Sequence, residues 1–247
     1  LALALALCAA PVLGTVLAQD EPVVDPLVAR ATAWVEAKDE RIFEVLEDDR
    51  VVARVEVRTA VREQGEARFL EVTLARHRPP PAGDDPPLPE REVAWLRPDE
   101  TLSPYQIRWI VAGELGKQNA RLGVDEGKLT GSVLDRGVVR NVPGAVCNEG
   151  ARLLRAALLP REDGARLHFT GLTFDRRGLR LEVDESLVFV GFEEPEGGPK
   201  VAVIEHRSER GRRTGTYRFD ESGALMSYIL AGTPVVTWRP YVEPDED

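Results

Sequence analysis

The sequence predicts a mainly β protein with two helices. The expected architecture is one large curved antiparallel meander sheet, an open half-barrel with the helices covering its concave face. Three observations predict it. Apolar residues recur with a period of two over most of the chain, the pattern of half-buried strands. Short turns rich in Gly, Asp and Glu separate these runs, which makes consecutive strands antiparallel neighbours. Only two stretches follow the helical period instead.

Before the first element, Leu1 to Ala18 reads LALALALCAAPVLGTVLA and carries no charge, and Asp20 and Glu21 follow at once. Val16 and Ala18 place short side chains at −3 and −1 of the bond before Gln19. This is the pattern of a signal peptide spanning 1–18, cleaved after Ala18, and it directs the protein to the periplasm or the extracellular space. The rival readings are a membrane anchor and a buried helix. A span needs about 20 apolar residues, and Pro11 and Gly14 interrupt a shorter run. A lipidated Cys8 would follow a small residue, and Leu7 stands there. Residues 19–26 form a leader, 27–241 one β-rich domain, and 242–247 an acidic tail. No transmembrane segment is expected in the mature chain.

Asp25-Pro26 is a helix start, with an N-cap followed by Pro in the first turn. Leu27, Ala31, Trp34 and Val35 then share one face, so the first helix spans Pro26 to Lys38. From Ile42 the period becomes two. Strands are expected over Ile42 to Leu46, Val51 to Val61 and Ala67 to Ala75, joined by tight turns. The segment 79–89, PPPAGDDPPLP, is an exposed proline-rich loop. Strands resume at Arg91 to Arg97, Tyr105 to Ala112, Gln118 to Val124, Lys128 to Leu134 and Val138 to Val142. Asn148 is an N-cap for a second helix, Ala151 to Leu159, which Pro160 ends and whose leucines require burial. Six strands follow: Ala165 to Phe174, Leu179 to Val190, Val201 to Arg207, Thr214 to Phe219, Ala224 to Leu230 and Pro234 to Trp238.

Composition narrows the function classes. The net charge of −10 disfavours binding to phosphate backbones, so no nucleic-acid partner is expected. Cys147 is the one cysteine of the mature chain, so no intrachain disulfide can form. Histidines 77, 168 and 206 show no metal-ligand spacing, and neither a metal nor a cofactor is expected. Glu182 and Asp184 should share one strand face with Glu185 on the other, a solvated face rather than a site.

Three constellations could carry function. Cys147, just before the second helix, is the candidate reactive thiol, because helix amides and the dipole lower a thiol pKa. Its rival readings are a buried apolar residue and an intermolecular disulfide. Arg207, Arg210, Arg212 and Arg213 cluster at a hairpin tip as an anion patch, against the reading of a solvated turn. Trp34, Trp95 and Trp109 with Leu153, Leu154 and Leu158 could line an apolar cavity in a curved sheet, against the reading of plain core.

The order of elements, together with Tyr217-Arg218-Phe219-Asp220-Glu221-Ser222-Gly223-Ala224-Leu225, resembles the lipoprotein-carrier family of the bacterial periplasm. The run is similar to that group's Y-x-x-D-x-x-G-x-L hairpin. The resemblance implies an open half-barrel that binds acyl chains, with no acyl-binding residue carried over. The leading expectation is non-catalytic binding at the envelope, of a lipid or another apolar ligand. The alternatives are a structural or protein-interaction domain with a filled core, whose partner is an envelope protein, and a hydrolase or thiol enzyme using Cys147.

Overall fold

The period-two runs become strands close to where the pattern places them in the computed structural model. It describes residues 26–37, 41–77, 89–99, 101–111, 118–175, 178–194 and 198–243. The 1–18 segment, most of the 19–26 leader, most of the 79–89 loop and the tail from 244 lie outside the described residues.

Helix α1 (Pro26–Glu36) precedes β1 (Arg41–Glu47), β2 (Arg50–Gln64), β3 (Ala67–His77), β4 (Pro89–Leu96), β5 (Pro104–Val111), β6 (Gln118–Asp125), β7 (Lys128–Val133) and β8 (Arg136–Asn141). A two-residue strand, β9 (Val146–Cys147), leads into α2 (Glu149–Leu158). The second half adds β10 (Arg166–Asp175), β11 (Gly178–Glu193), β12 (Val201–Arg207), β13 (Arg213–Phe219), β14 (Leu225–Leu230) and β15 (Val236–Pro240). All fifteen strands form one open sheet, in the order β8-β7-β6-β5-β4-β3-β2-β1-β15-β14-β13-β12-β11-β10-β9. The pairing is antiparallel throughout except for β9 against β10. The protein is therefore mainly β, a meander with two helices.

Chain connectivity forces the sheet to roll. Laid flat at about 4.8 Å per strand, it would be about 67 Å wide. Yet its edge strands β8 and β9 are joined by residues 142–145 alone, a reach of at most about 18 Å. The margins accordingly pack on each other. Ile107, Trp109, Leu122 and Leu129 from one side meet Val146 and Leu172 from the other. The Trp109 and Phe174 rings stack at 5.6 Å across the gap. The larger core lies in the concavity, where Val55, Leu70, Val72, Ile204 and Phe219 surround α2.

Helix α2 is the filling of the half-barrel. Asn148 caps it by accepting from the Ala151 amide at 3.3 Å. Arg161 reaches back from beyond Pro160 to the Ala156 and Ala157 carbonyls at 3.3 and 3.0 Å. Every residue from Gly150 to Leu158 is buried, arginines included. Helix α1 buries only Ala31 and Val35 among its own residues and covers the rim beside α2.

Candidate functional site

The apolar set from the sequence divides among three places. Leu153, Leu154 and Leu158 lie in the main core, inside the concavity. Trp109 belongs to the margin cluster, and its indole N–H donates to Glu92 at 2.8 Å. Trp34 is half-buried at the rim and donates to the Gly223 carbonyl at 3.3 Å. Trp95 points to the convex face, because its β3 partner Glu71 alternates with the core residues Leu70 and Val72. There it donates to Glu71 at 2.8 Å and stacks on Phe69 at 6.0 Å, with Arg108 over its ring at 5.0 Å. The concavity these residues were expected to line is occupied by α2. A small apolar hollow of about 140 Å³ remains beside it, lined by Leu27, Leu102, Leu158, Leu159 and Leu167 among others.

Cys147 is free and fully buried in the main core. Burial pushes its thiol pKa up, more than the nearby Arg155 and Arg152 pull it down. That is opposite in sign to the activated thiol the helix start suggested.

A larger cleft, about 740 Å³, opens at one end of the rolled sheet. Its walls are the first half of β11, the β12–β13 turn and the β14–β15 turn. Leu181, Glu182 and Glu185 come from the strand, Ser208, Arg212, Arg213 and Thr214 from the first turn, and Ala231 to Thr233 from the second. Two members of the anion patch, Arg212 and Arg213, therefore line the cleft. Arg207 pairs instead with Glu205 at 2.6 Å. Arg210 is exposed and is not among the residues lining the cleft.

Behind the cleft lies a buried polar network. Glu185 is 2% exposed and His206 4%, and His206 Nε2 sits 2.9 Å from Glu185 Oε1. Arg152 of α2 donates from Nε to the Tyr217 hydroxyl at 3.0 Å, and Tyr217 stacks on Tyr228 at 4.2 Å. Burial pulls the Glu185 carboxyl pKa upward, but His206, then Arg152 and Glu182, outweigh it and hold the group below the ordinary value. Burial lowers the His206 pKa and Arg152 lowers it further, against the pull of Glu185. The consistent state is an ionised Glu185 beside a neutral imidazole, with the Arg152 guanidinium as the countercharge. Glu182 moves the other way: burial raises it, and the neighbouring Glu185 carboxylate raises it further.

The strand rule placed Glu185 on the face opposite Glu182, and the structure corrects it. Asp184 adopts a left-handed backbone at φ 57°, and the β10–β11 register slips between Phe169 and Gly171. The extra residue turns Glu182 and Glu185 to the same side. Gly171 makes the space: a Cβ there would lie 1.8 Å from Glu185 Oε2. The one cue in the sequence is Asp184 itself, since Asp tolerates the left-handed region better than most residues. His168 is exposed on β10, and His77 lies 3.7 Å from Glu56.

Among the described residues, no group of three or more His, Cys, Asp or Glu side chains is placed to hold a metal ion. No described helix is long and apolar enough to cross a membrane. Comparison with protein-family models, with curated proteins and with solved structures gave no significant match, so the site is read from its own geometry.

Proposed function

We propose that the protein is a non-catalytic binding protein of the cell envelope that takes a small polar ligand in the cleft beside β11. The observation that carries this reading is one wall of the cleft. Glu185 is among the residues lining it, its buried Oε2 has no hydrogen-bond partner, and the volume of the recess falls within the roughly 300–1,000 Å³ usual for small-molecule sites. A buried acceptor left unpaired costs about 1–3 kcal/mol, which a ligand donor would recover. Burial of the Cys147 thiol supports a binding rather than a thiol-enzyme role. The envelope location rests on the pattern of Leu1 to Ala18.

The test is mass spectrometry of small molecules released from natively purified protein, with Ala231→Trp as the control that plugs the cleft. A polar molecule held by the wild type and lost from A231W is the expected result. Equal retention by both proteins, or none by either, would refute the reading.

One observation favours a second reading, an apolar ligand beneath α1. The hollow of about 140 Å³ is edged by Leu27 of α1. Among the ties that hold the helix are Arg30 to the Leu158 carbonyl at 3.0 Å and Thr59 to the Val35 carbonyl at 2.8 Å. Lifting α1 would enlarge the hollow toward the size of an acyl chain, as the lipoprotein-carrier resemblance implies. Saturable uptake of a fluorescent fatty acid, with a change in Trp emission, would support this version, and no uptake would remove it.

A further inference from the structure

The chemistry of the cleft is two-sided. One wall offers acceptors: the buried Glu185 carboxylate, whose Oε2 has no hydrogen-bond partner, and the exposed Glu182 beside it. Its outer wall offers donors, the Arg212 and Arg213 guanidinium groups on the β12–β13 turn. Arg213 is only loosely held within the protein, 3.9 Å from Glu205, and both arginines are exposed. The acceptor wall is also built rather than incidental. Gly171 is the cut-out for Oε2, and the bulge at Asp184 turns both carboxyl groups to the same side of the strand.

Each simple ligand satisfies half of this. An anion alone would meet Arg212 and Arg213 but be repelled by the two glutamates. A cation alone would leave the guanidinium groups unused. A neutral polyol could donate to Glu185 but would leave the Arg212 and Arg213 charges without an anion.

Resting on the binding role proposed above, we propose that the cleft binds zwitterions of the amino-acid class. The ligand's ammonium group sits between Glu182 and Glu185, and its carboxylate lies on Arg212 and Arg213. The ammonium supplies a donor that Oε2 lacks and offsets the repulsion between the two carboxyl groups. The guanidinium pair offers the forked geometry that carboxylates prefer. Amino acids and short peptides with a free N-terminus are the ligands of this class.

Isothermal titration calorimetry with the twenty amino acids and glycylglycine tests it, using N-acetylglycylglycine, ethylamine and acetate as controls. At least one free zwitterion should bind saturably. Its N-acetylated form, and each half-ligand, should bind at least tenfold more weakly. Glu182→Gln should weaken binding by tenfold or more. The pair Arg212→Ala with Arg213→Ala should remove the preference for a zwitterion over the matching amine. Both changes are at exposed positions, so folding is checked independently by circular dichroism. No saturable binding of any zwitterion, or equal binding after N-acetylation, overturns the inference. If a different polar molecule is nevertheless retained by the wild type and lost from A231W, the binding role stands and only the ligand class falls.

Discussion

Glu92 points inward from β4 into the core and is 5% exposed. It accepts from Trp109 Nε1 at 2.8 Å, Asn148 Nδ2 at 2.7 Å and the Gly150 amide at 2.9 Å. One carboxylate thereby ties the sheet margin, the helix cap and the start of α2, where the helix dipole also favours negative charge. Glu92→Gln keeps the shape but turns an NH₂ toward donors. We expect it to cost about 2 kcal/mol or more, read as a lower urea midpoint at unchanged slope. The buried pair Glu185 and His206 predicts a pH effect of definite sign. His206 is held below its ordinary pKa in the folded protein, so the unfolded chain takes up the proton first as pH falls. Stability therefore declines below about pH 6.5, by at most about 1.4 kcal/mol per pH unit from this group. The depressed Glu185 pKa adds a further loss in more acid solution, as pH falls through its folded value. Urea unfolding from pH 7 to 5 should show the slope, and His206→Gln should flatten it. These residues were the least legible ones in the sequence. Glu182 and Glu185 read as opposite faces of a strand because Asp184 is only a weak cue to a bulge, and nothing in the run Arg91 to Arg97 marks Glu92 as a buried acceptor.

At the scale of elements, the two helices differ in what holds them. In α2, apolar leucines face the sheet while Arg152 and Arg155 are buried through specific bonds, Arg155 to the Thr101 carbonyl and Arg152 to Tyr217. The sequence showed that α2 needed burial, because its leucines cover much of the surface. It did not show that the arginines go in as well, since their partners lie 54 and 65 residues away. Helix α1 buries two side chains and lies at the rim. We expect its amides to exchange in deuterated water well ahead of those of α2, by local opening rather than global unfolding. Equal protection in both helices would contradict the idea that α1 can act as a cover. The strands were legible within a few residues because apolar residues recur along most of them with a period of two. The two-residue β9 was not, being too short to show any period, and neither was its parallel pairing with β10.

At the scale of the molecule, the expected curved meander is present, but the way its halves join was not readable from local pattern. The first and last strands meet at the centre of the sheet, where β1 pairs with β15 over Phe43 to Glu47, and the middle of the chain forms both edges. A chain ending after Leu230 would lack β15 and leave β1 and β14 as unpaired edges. We expect that truncation to show no cooperative unfolding transition, whereas removal of the residues after Glu243 should leave the transition unchanged. The same pairing governs how the protein comes to be folded. Synthesis delivers β1 early and its partner about 190 residues later, the widest loop closure in the sheet. Until β15 emerges, β1 offers an open row of backbone donors and acceptors to any other strand nearby. Folding should therefore be slow for the size of the domain, and its hazardous interval is the time the nascent chain waits for its own last strand.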